Sequence, residues 1–160
     1  MKRIFLTLLL SAFTFAVFAQ IQNEDLAITQ AYFQKDKKDL VKSTLTLSAA
    51  QSQAFWPIYD QYDAKRLALS NQRVQIVNDY LKGFKTLTGD EAIALTNRVF
   101  ANDKSYLDLK KSYFKKFVTA IGGKNAAKFY QLENYVQEIV RLKVQDNIPF
   151  IGETDKNAKK

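Results

Sequence analysis

The chain has 160 residues, a formal charge of +8, no Cys and no His, a length that suits one domain with a real core. Without Cys it forms no disulfide, thiolate metal site or lipoprotein anchor, and without His it lacks the usual neutral-pH base and every Ser-His or Cys-His nucleophile. The positive excess suits anionic or acidic partners.

In chain order, Lys2 and Arg3 precede an apolar run from Ile4 to about Phe18, and Val17-Phe18-Ala19 supplies the small residue of a cleavage position. This is the pattern of a signal peptide over residues 1–19, so the expected mature chain is exported and starts at Gln20. The apolar run is about fifteen residues, short of the ~20 that span a bilayer, and no stable membrane insertion is expected. One all-helical domain is expected over residues 20–152, followed by a disordered polar tail over 153–160.

Helix one is expected from Asn23 to about Thr44, on the spacing of Leu26, Ile28, Phe33, Leu40 and Val41 among charged neighbours. Leu47-Ser48-Ala49-Ala50-Gln51 then carries a capping box, with Ser48 as cap and Gln51 reaching back. Helix two should run from Ala49 to about Lys82, with Phe55, Tyr62, Leu69 and Ile76 on one seven-residue line and a bend at Pro57.

After a turn over Gly83 to Leu87, the segment Leu87-Thr88-Gly89-Asp90-Glu91 repeats the device, with Thr88 as cap and Glu91 as its partner. Helix three should end at Gly122-Gly123, with Ile93, Phe100, Leu107, Phe114 and Ile121 on one line and Ala92, Val99, Tyr106, Tyr113 and Ala120 beside it. Helix four should span Asn125 to about Asp146, before an extended Ile148-Pro149-Phe150-Ile151 segment. The expected fold is all-α: an elongated four-helix, hairpin-type bundle of two long antiparallel helices and two shorter ones. Antiparallel pairing of helices two and three sets Arg66 against Asp103 and Asp63 against Lys110, as register-setting ion pairs.

The candidate chemistry is sparse. Ser112-Tyr113-Phe114-Lys115 has the Ser-x-x-Lys spacing of penicillin-recognising enzymes without their companion motifs, and reads as a solvated Ser and Lys flanking two core aromatics. Asp60 with Asp63, and Asp90 with Glu91, read as solvated helix charges in preference to an acid-base pair or a cation site. No catalytic residue, metal or cofactor is expected. The lysines around helix three lie on several sides, which does not suggest a nucleic-acid groove.

Binding is the better expectation. Tyr59, Arg66, Arg73 and Tyr80 form a seven-residue line on helix two that would offer Tyr and Arg to a partner. With Trp56 nearby and Lys111 and Lys115 on helix three, they make the candidate binding face.

The segments containing Leu47, Ser48 and Gln51, and Leu87, Thr88 and Glu91, resemble the paired LTxxQ motifs of the Spy and CpxP family of periplasmic helical proteins. The first has Ser for Thr, and the second Glu for Gln. Phe55-Trp56-Pro57-Ile58-Tyr59, Ala126 to Asn134 and Ile148-Pro149 are similar to a branch of small exported proteins mostly without assigned function. The resemblance implies a periplasmic, cradle-shaped antiparallel homodimer that binds unfolded or partly folded envelope proteins without ATP, in envelope stress. It also implies an alternative: a regulatory protein docking on the periplasmic domain of a membrane sensor.

Overall fold

The computed structural model describes residues 37–146 and 148–152. The expected leader and cleavage site, most of helix one and the polar tail lie outside the described residues.

The described residues are all-helical, with no strand among them. Residues 37–44 form α1, the C-terminal part of expected helix one. The second helix, α2, is Ala49–Gly83, and α3 is Gly89–Asp146. The expected helices three and four are the two helical limbs of α3, which join at Gly122, where helix three was expected to end. The one non-helical residue of α3 is Gly122, at φ 80 and ψ 158, a conformation open essentially to glycine alone.

Gly122 turns α3 back on itself. Phe117 meets Phe129 with ring centroids 4.7 Å apart, Lys110 donates to Asn134 at 2.8 Å, and Arg141 pairs with Asp103 at 2.6 Å. The two limbs on either side of Gly122 therefore lie antiparallel. The carbonyl of Ile121, orphaned by the turn, accepts the side-chain amides of Gln51 at 3.1 Å and Asn125 at 3.4 Å.

The N-terminal limb of α3 also runs antiparallel to α2. Tyr106 donates to the Arg66 carbonyl at 3.3 Å, Asn102 to the Leu69 carbonyl at 2.9 Å, and Arg98 pairs with Asp79 at 2.8 Å. Backbone register is thus close to expectation, yet the two expected ion pairs are absent. Arg66 turns inward to Asp63 at 2.7 Å, while Asp103 sits on the flank and takes Arg73 at 3.3 Å and Arg141. Lys110 points between the limbs of α3, to Asn134 and Gln137, and not to Asp63.

Both capping boxes form. Ser48 and Gln51 exchange bonds of 3.0 and 3.2 Å at the start of α2, and Thr88 and Glu91 exchange 2.9 and 3.3 Å at the start of α3. Leu47 packs against the core and Leu87 sits half-buried near Gly83. α2 continues as helix through Pro57, which has no N–H to give the Gln53 carbonyl, on an exposed stretch that water can serve. Past α3, Tyr80 donates to the Pro149 carbonyl at 2.6 Å and the Gly152 N–H to the Phe84 carbonyl at 3.4 Å, which ties residues 148–152 to the end of α2.

The core lies where α1, α2 and both limbs of α3 meet. Val41 and Leu45 pack with Phe55, Tyr59 and Tyr62 of α2, and with Tyr113, Phe117, Ile121, Ala126 and Phe129 of α3. Phe129 stands edge-on to Phe55, Tyr59 and Tyr62 at centroid distances of 5.4–5.9 Å, within the range where aromatic pairs stabilise beyond their area.

Candidate binding face

The line proposed from sequence as the binding face is mostly interior. Tyr59 is buried among Phe55, Trp56 and Phe129. Arg66 is largely buried, and its Nη2 has no hydrogen-bond acceptor among the described residues. Arg73 is committed to Asp103 and Tyr80 to Pro149. Trp56 is half-buried, with the Lys38 and Lys42 ammonium groups 5.3 and 6.0 Å from its ring. Only Lys111 and Lys115 stand exposed as expected, on α3 and away from the α2 line. The α2 line is covered by α1 and Phe129 at Tyr59, by Asp103 of the N-terminal limb of α3 at Arg73 and by Pro149 at Tyr80, and none of these contacts is visible in the sequence of α2.

Under that line lies a buried ionic cluster that the sequence reading missed. Lys37 reaches Glu133 at 2.6 Å and Asp63 at 3.0 Å, and Lys37 and Glu133 are each 4 % exposed. Tyr62 donates its hydroxyl to Glu133 at 2.8 Å, and Arg66 closes the set through Asp63. Burial alone would push the Asp63 carboxyl up, but the adjoining Lys37 and Arg66 cations and their hydrogen bonds outweigh it and hold it below the usual carboxylate range. Burial, reinforced by nearby carboxylates, raises both the Tyr59 and Tyr62 hydroxyls. Asp60 parts from Asp63 and pairs with Lys38 on the exposed side at 2.7 Å, so the two do not form a joint carboxylate site. One signal was available: Glu133 falls four residues after Phe129, inside the apolar arc of its helix.

The exposed apolar residues are elsewhere. The expected core line of helix three leaves the interior along its length: Ile121 is 2 % exposed and Phe114 half-buried, but Leu107 is 46 %, Phe100 63 % and Ile93 60 % exposed. The cause is geometric. A straight α-helix has 3.6 residues per turn, so a strict seven-residue line drifts by ~20° per repeat. Over the four repeats from Ile121 to Ile93 the line turns through about 80°, from core to solvent. Ala92, Val99, Tyr106, Tyr113 and Ala120, the neighbouring line, stay half-buried or buried throughout.

On the other limb, Tyr135 and Leu142 are 65 % and 63 % exposed. The Asp103–Arg141 and Lys110–Asn134 contacts set the limbs side by side, so Phe100 stands within a turn of the level of Leu142, and Leu107 of Tyr135. These residues are thus exposed at matching levels of two neighbouring limbs. Lys104, Lys111, Lys115 and Lys128 are exposed on the same two limbs, with Lys104 paired to Asp108 at 2.6 Å. Among the described residues, no helix is long and apolar enough to cross a membrane.

Comparison with protein families, with curated proteins and with solved structures returns no match to this chain.

Proposed function

We propose that this chain is an exported, chaperone-like or envelope-stress accessory protein that binds unfolded or partly folded envelope proteins without ATP. It acts through its surface and has no catalytic centre. The observation that carries this reading is the exposed row Ile93, Phe100 and Leu107 with lysines on the same limb. Large apolar side chains left exposed on one face of a helix favour an interaction surface, and nearby exposed cations favour acidic segments. The signal peptide, a periplasmic location, a count of four helices with the two α3 limbs taken separately, and a homodimer belong to the same proposal, on the strength of the leader pattern and the LTxxQ resemblance.

The test is light scattering from a chemically denatured client diluted into buffer with an equimolar amount of this protein. Suppressed scattering is expected, with Phe100→Ser and Leu107→Ser together removing most of it. Scattering unchanged by the unmodified protein would count against the proposal.

A further inference from the structure

We infer that the exposed rows on the two limbs of α3 form a docking seam for a preformed amphipathic helix with acidic flanks. This rests on the proposed reading of the chain as a binding protein, and it names the form and charge of what that surface holds best.

Spacing points to a helix. Ile93, Phe100 and Leu107 recur every seven residues, about 10 Å apart along the limb. Tyr135 and Leu142 repeat the interval on the other limb, near the levels of Leu107 and Phe100. Two exposed rows with this period, at matching levels, repeat at the interval of the a and d side chains of a third helix. An extended chain places alternate side chains about 7 Å apart and falls out of step with such rows.

Charge decides which helix. From residue 103 to residue 118, the exposed Lys104, Lys111, Lys115 and Lys116 outnumber the exposed Asp108 and the half-buried Asp103. A partner with Glu or Asp beside its apolar seam pairs with that excess, as flanking charges do in coiled coils. A second copy of this face brings the same excess of lysine, so like charges meet. A bilayer of anionic lipid is a poorer fit, because Asp108 and Glu138 are exposed on the same hairpin and the Asp103–Arg141 pair lies between the two rows. Headgroups repel the acids, whereas a polypeptide can leave them paired.

The test uses the full chain and labelled peptides of about three heptads, read by fluorescence anisotropy. One peptide carries Leu and Ile at its seam with Glu flanks. A second has Lys flanks, and a third has the Glu sequence broken by two central prolines. Vesicles of phosphatidylglycerol serve as the lipid probe. The Glu-flanked helix should bind, and the Lys-flanked and Pro-broken peptides should bind about tenfold more weakly or worse. Phe100→Ser should weaken the Glu peptide about tenfold, since a buried Phe is lost from the seam. Joint K111E and K115E substitution should reverse the order of the Glu and Lys peptides.

Equal binding of the helical and Pro-broken peptides overturns the inference, as does binding to vesicles without binding to the helix. The client-scattering assay separates the two failures. Suppressed scattering that is lost on F100S, with no preference for the helical peptide, leaves the binding reading standing and removes the helix seam. Helix binding without suppression does the reverse.

Discussion

At the residue scale, the costliest arrangement is the Lys37–Glu133 pair, two opposite charges each 4 % exposed in a cluster with Asp63, Arg66 and Tyr62. Removing one member of such a pair strands a charge in low dielectric, whereas removing both is far milder. Lys37→Met should lower the urea unfolding free energy by about 3–5 kcal/mol, and the K37M/E133L double variant should recover part of that loss. A double variant less stable than K37M would show that the pair is not the source of the cost. The pH dependence has a definite sign. Because Asp63 is held below its ordinary value in the folded state, its contribution is complete above the unfolded value and drains away as pH falls through the folded one. Stability should therefore drop below about pH 4, and Asp63→Asn, while less stable at neutral pH, should show a shallower acid limb in the same titration.

At the scale of elements, the two capping boxes look alike in sequence and differ in reach. The Gln51 side chain accepts from Ser48 and also donates to the Ile121 carbonyl at the α3 turn, while Glu91 sits exposed and, among the described residues, serves Thr88 alone. Gln51→Glu should preserve the box but set a carboxylate against a carbonyl, at a cost of about 1–3 kcal/mol; Glu91→Gln should be nearly neutral. Equal effects in thermal melts would mean the Ile121 contact contributes nothing. Gly122 invites a similar comparison. No atom lies within 4 Å of where its Cβ would stand, so Gly122→Ala is opposed by backbone conformation alone, by about 1–3 kcal/mol. Gly123, with no positive φ, should tolerate Ala without loss. What was legible here is local: Ser48, Thr88 and the Gly122-Gly123 break mark element ends through short-range chemistry. What was not legible is which face turns inward, since the burial of Tyr59 and Arg66 depends on α1 and the far limb of α3. Lys37 and Glu133 are ninety-six positions apart in the chain, and each alone reads as a solvated charge.

For the whole molecule, stability and proposed activity occupy different surfaces. The aromatic core and ionic cluster sit where α1, α2 and the turn end of α3 converge, and the row Ile93, Phe100 and Leu107 lies towards the start of α3, facing solvent. Replacing all three by Ser should therefore change the unfolding free energy only within the small range typical of surface changes, about 0.5 kcal/mol per site, while abolishing client protection. A large loss of stability would place the row in the core after all. Burial of Lys37 also has a consequence in time. α1 is held to α2 over short separations, Lys37 to Asp63 across 26 positions and Lys38 to Asp60 across 22, whereas the Lys37–Glu133 contact also needs the C-terminal limb of α3, closes the longest loop in the cluster and so meets the largest closure entropy. The Glu133 end of the cluster should then close last, after the folding barrier has been crossed. In stopped-flow experiments Lys37→Met should speed unfolding and leave the folding rate unchanged, so that this one lysine governs how long the folded protein lasts and has no part in how quickly it forms.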